Sequence, residues 1–88
     1  MCTYLTVTTP IDGSGKGPGG QWLHVTDAAV YFDHPVHAMA DHTLNIDFAA
    51  PAAGPGARVA VELTAESARA LIGAMAAALD AAPESLTG

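Results

Sequence analysis

The chain has 88 residues, one cysteine and a formal net charge of −6. A single domain of that length has a thin core, burying about 60–65% of the surface its unfolded form exposes; the lone Cys2 excludes an internal disulfide and suits a reducing cytoplasm. Lys16, Arg58 and Arg69 stand against nine carboxylates, too few to build the basic patch that nucleic acid requires, and the sequence shows neither a leader-type start nor an apolar run of membrane length.

Thr3 to Thr9 alternates as a strand, with Leu5 and Val7 on one side and Tyr4, Thr6 and Thr8 on the other. Pro10 is expected to end it. Residues 13–20 are glycine-rich and read as a loop. Gly13-Ser14-Gly15-Lys16-Gly17 invites comparison with a phosphate-binding loop but fails it. The spacing is wrong, no hydroxyl residue follows the lysine, and Pro18 blocks an immediate helix.

Gln21–Thr26 and Ala28–Asp33 read as two short strands, the second with Val30 and Phe32 on one face. His42–Phe48 is the clearest strand, alternating His42, Leu44, Ile46 and Phe48 with Thr43, Asn45 and Asp47. After the Ala49–Ala57 loop, Arg58–Leu63 places Val59, Val61 and Leu63 in phase. Thr64 caps a helix whose Ala68, Leu71, Ile72, Met75 and Leu79 form one stripe. Glu66 sits at the positive end of its dipole. Pro83 stops the helix, and residues 83–88 are expected to fray. The fold class is therefore α+β. An antiparallel sheet of about four strands packs one C-terminal amphipathic helix on its apolar face. One helix covers such a sheet incompletely, so a homodimer is expected.

Three of the four histidines fall in His34-Pro35-Val36-His37-Ala38-Met39-Ala40-Asp41-His42. Strand parity turns His34 and His42 toward the apolar face at the mouth of one hairpin, with His37 in the loop between them. Three imidazoles are a ligand set for a transition metal such as Zn, Cu, Fe or Ni. Asp33 and Asp41 are placed to hold the second ring nitrogen of a ligating histidine, or to work beside one in acid–base catalysis. An ordinary reading stands beside this one: strand-end and loop histidines often only meet solvent, an aspartate or a carbonyl. His24, next to Trp22, reads as structural. Removal of Met1 would expose a Cys2 amine and thiolate, a further ligand or nucleophile; a cysteine that merely begins a strand is the plainer reading.

The opposite face collects Tyr4, Thr6, Tyr31, Asp33, Asn45, Asp47, Arg58 and Glu62 by parity. Tyrosines among amides and carboxylates make a floor for a small molecule, or an interface, as readily as a solvated sheet face. Tyr31 is the catalytic or binding candidate there. Asp47 or Glu62 would serve as a base if buried.

The opening Met-Cys-Thr-Tyr, the glycine-rich loop, Val30 to His37, His42 to Phe48 and Arg58 to Thr64 together resemble a family of short actinobacterial proteins described only as a domain of unknown function. The resemblance implies a bacterial, cytoplasmic setting and brings no activity. The bias toward Ala, Gly, Val, Asp and Pro, with almost no Lys, points to the same high-GC source. The leading expectation is a small cytoplasmic metal-binding protein acting on a small organic molecule. The alternatives are a metal-free homodimeric module that binds a small molecule on its polar face, and a metal-free acid–base enzyme.

Overall fold

The computed structural model of the chain describes residues 4–88. Four strands, β1 (Thr6–Lys16), β2 (Trp22–Asp33), β3 (Thr43–Ala49) and β4 (Arg58–Leu63), form one open sheet in chain order. Each neighbouring pair is antiparallel. Helix α1 (Ala65–Ala81) follows β4 directly, and α2 (Glu84–Thr87) adds one turn beyond Pro83. The fold is α+β, as the alternation and the cap predict. Among the described residues no helix is long and apolar enough to cross a membrane.

The register brings the apolar residues onto one face. Val7 pairs with Val30, Val30 with Ile46 and Ile46 with Val61, while Phe32 pairs with Leu44 and Leu44 with Leu63. Period-2 alternation forces the intervening residues to the other side, so Thr6, Tyr31, Asn45 and Glu62 line up across the sheet.

The first hairpin departs from the expected pattern. β1 continues through Pro10 and the glycines to Lys16, and Gln21–Thr26 and Ala28–Asp33 are one strand, β2. Partner pairing overrides the weak strand preference of glycine here. Pro10 pairs with Asp27 and Gly13 with Val25, so β1 carries one extra residue between those pairs. That bulge absorbs the irregularity. Val25 is buried and lies against the open flank of Gly15, with Val59 beyond it. The true turn is shorter than the 13–20 loop. Gly17 N–H donates to Gln21 O at 2.8 Å, and Gly19 and Gly20 both adopt φ +79°, a conformation costly to any residue with a Cβ.

Thr64 caps α1, its hydroxyl accepting from Ser67 N–H at 3.1 Å. The helix meets the sheet through its first turns only. Ala68 is its one buried residue, and Ala65, Ala68 and Ile72 border a cleft of about 370 Å³ against Phe32 and Leu44. Most of the stripe beyond stays exposed.

Candidate metal centre and polar cleft

The β2–β3 connection, residues 34–42, arranges both candidate sites. Its two ends carry His34 and His42 to the apolar side of the sheet, as strand parity predicts. Their ring centroids are 4.4 Å apart. His42 stacks on Phe32 at 5.7 Å with 11° between planes, and Tyr4 packs beside both rings at 6.2 and 6.3 Å. Tyr4 thus belongs to the histidine cluster rather than to the polar face.

Asp41 ties the two imidazoles together. Its backbone carbonyl meets His34 Nδ1 at 2.9 Å and its carboxylate meets His42 Nδ1 at 3.1 Å. Both partners are acceptors, so each ring donates from Nδ1, and in the neutral form of such a ring Nε2 is the nitrogen that bears the lone pair. One ligand atom from each of His34, Asp41 and His42 lies within 4.8 Å of the other two. His34 and Asp41 are exposed and His42 is half-buried. Asp33 does not enter this group; its carboxylate accepts from the His34 backbone N–H at 2.6 Å and fixes the start of the connection.

His37 is separated from the other two histidines. The middle of the connection folds onto the polar face, where the Glu62 carboxylate accepts from the backbone N–H groups of Val36 at 2.5 Å, Ala38 at 2.8 Å and His37 at 3.1 Å. These bonds, Ala38 first and Val36 next, hold the Glu62 carboxyl below its ordinary pKa, against a smaller opposing effect of burial. The expected three-imidazole cluster is therefore a pair joined by an aspartate. Histidine spacing alone did not reveal the cradle for Glu62, which comes from the neighbouring strand β4, where it pairs with Asn45.

Beneath the folded connection lies a cleft of about 750 Å³ bordered by Tyr31, His37, Asn45, Asp47, Arg58 and Glu62 among others. Thr43 and Asn45 are buried, and the Thr43 hydroxyl donates to Asn45 Oδ1 at 2.6 Å. Tyr31 donates its hydroxyl to Asp47 Oδ2 at 3.1 Å, and Arg58 reaches the same oxygen at 3.5 Å. Burial, then the bond to Asp47, raises the Tyr31 pKa above 10.0. His24 pairs at the surface with Asp12 at 3.1 Å. Cys2 lies outside the described residues.

Fold and sites together define a small α+β protein with a histidine–aspartate cluster on one side of its sheet and a polar cleft on the other. The chain belongs to a family of unknown function, DUF6295, whose sequence profile matches residues 1–88. This agrees with the resemblance in its motifs, and the family carries no assigned activity. No curated protein and no solved structure matches the chain.

Proposed function

We propose that this protein binds a transition-metal ion through His34 and His42, with Asp41 orienting both rings. The observation that carries the reading is the double engagement of Asp41, at 2.9 Å to one Nδ1 and 3.1 Å to the other. A ligating histidine typically has its second nitrogen held by a carboxylate or a backbone carbonyl. Here one residue supplies both. Two neutral imidazoles favour Zn, Cu, Ni or Fe over Mg or Ca. Such a pair leaves coordination positions for water or for a small organic molecule, which the metal would polarise. In this reading the protein works in the cytoplasm of an actinobacterium, which its single cysteine and its composition suit.

The test is elemental analysis of tag-free protein, with metal titrations of His34→Ala, His42→Ala and His37→Ala. Near-stoichiometric metal, lost in the first two variants and kept in the third, is the expected result. Wild-type protein that neither carries metal nor takes up added Zn, Cu, Ni or Fe would overturn the proposal.

A second reading is favoured by one specific observation, the buried Asn45 under a cleft large enough for a small molecule. Asn45 Oδ1 is occupied by Thr43, so the side-chain amide is left to donate. With the Arg58 guanidinium bordering the same cleft, it suits a ligand with a carbonyl or carboxylate group. Ligand-observed NMR with a panel of small carboxylic acids would show binding that Tyr31→Ala and Arg58→Ala weaken and His34→Ala leaves unchanged. A panel that yields no binder, or binding indifferent to both cleft variants, would remove this reading.

A further inference from the structure

Helix α1 is apolar all round for much of its length. From Ala70 to Leu79 the sequence is ALIGAMAAAL, with no charged or hydrogen-bonding side chain. A helix of that composition belongs in an interior. Here Ile72, Met75 and Leu79 are 65%, 58% and 63% exposed, and on the sheet's apolar face Val7 is 51% exposed.

The whole surface is too large for a self-sufficient chain. It measures 6438 Å², whereas a compact monomer of 8.9 kDa exposes about 4,800 Å². The excess of about 1,600 Å² per chain amounts to about 3,200 Å² for a pair, within the roughly 2,000–5,000 Å² of obligate homodimers. The Cα radius of gyration agrees, at 14.5 Å against about 12 Å for a compact domain of this length.

We propose that a second copy of this chain covers these surfaces, in a two-fold dimer in which α1 of each protomer lies across the open apolar sheet face of the other. Three features favour this occupant. The two uncovered surfaces are on the same chain, so one isologous contact buries both at once. Neither surface carries charge at its centre, so the net charge of −6 is kept out of the contact. The 17 residues of α1 span about 25 Å, enough to cross four strands spaced about 4.8 Å apart.

Sedimentation equilibrium of the full chain should give a dimer, and Met75→Glu should shift it to monomer. Mixed samples of isotope-labelled and unlabelled wild-type protein test the arrangement directly, and they decide the matter if Met75→Glu fails to fold. Methyl contacts between copies are expected from Met75 to Ile46. A monomer at every concentration overturns the proposal. So does a dimer whose contacts between copies run only from helix to helix, or a monomer whose own helix has closed onto its own sheet.

Discussion

Thr43 is fully buried, and its hydroxyl donates to Asn45 Oδ1 at 2.6 Å. Thr43→Val keeps the shape and removes the donor, leaving a buried amide oxygen unpaired at a cost of about 1–3 kcal/mol. Urea unfolding should show a lower midpoint with an unchanged slope. Glu62 makes a different kind of prediction. Its carboxyl, held by the amides of Ala38 and Val36, titrates below its ordinary value of 4.5. A carboxyl depressed in the fold contributes stability above its unfolded pKa and loses it as pH falls through the folded value. The connection should therefore stay docked from neutral pH to about 4.5 and release as the pH falls further. The Val36–Ala38 amide shifts should report that release, and Glu62→Gln should remove their pH dependence. The same residues mark what the sequence could reveal. Parity placed His34 and His42 together, because both extend strands whose phase is clear. His37 sits in a connection without periodicity, and its position is decided by Glu62, 25 residues away in the chain.

At the level of elements, β3, β4 and the Thr64 cap were legible because each rests on local physics: strict alternation in the strands and a threonine at the start of an apolar period. The first hairpin was not. Glycine and proline weaken a strand by local preference, and only the pairing of β1 with β2, bulge included, shows why the strand persists. The turn carries the sharper test. Gly19 stands at φ +79° with no atom within 4 Å of a Cβ built on it. Gly19→Ala thus isolates backbone strain, at about 1–2 kcal/mol, and thermal melts should show the loss. Thr64→Ala removes the one side-chain cap of α1 and should cost about 0.5–2 kcal/mol. Because α1 leans on the sheet only at its first turns, that loss should appear as reduced helical circular dichroism before the sheet unfolds. Thr64→Asp should restore the signal.

At the scale of the whole molecule, the lone chain buries little. An unfolded chain of 8.9 kDa exposes about 12,900 Å², so the folded surface of 6438 Å² means that only about half is hidden, less than the roughly 60% typical of a 60-residue domain. Partner and metal would each supply what the core lacks, and they do so by different laws. A second copy makes the melting point depend on protein concentration, whereas a metal makes it depend on metal concentration. His34 and His42 bracket the β2–β3 connection, so an ion held by both would close that loop at its mouth. At about 100 times its Kd, a ligand that binds only the folded state adds about 2.7 kcal/mol. Added zinc should therefore raise the melting point of wild-type protein at fixed protein concentration, and EDTA should reverse the rise. His34→Ala and His42→Ala should lose the zinc effect and keep the dependence on protein concentration. Met75→Glu should do the opposite. If one variant abolished both responses, the metal site and the interface would be a single structure, with the second copy reaching the rings that Asp41 holds.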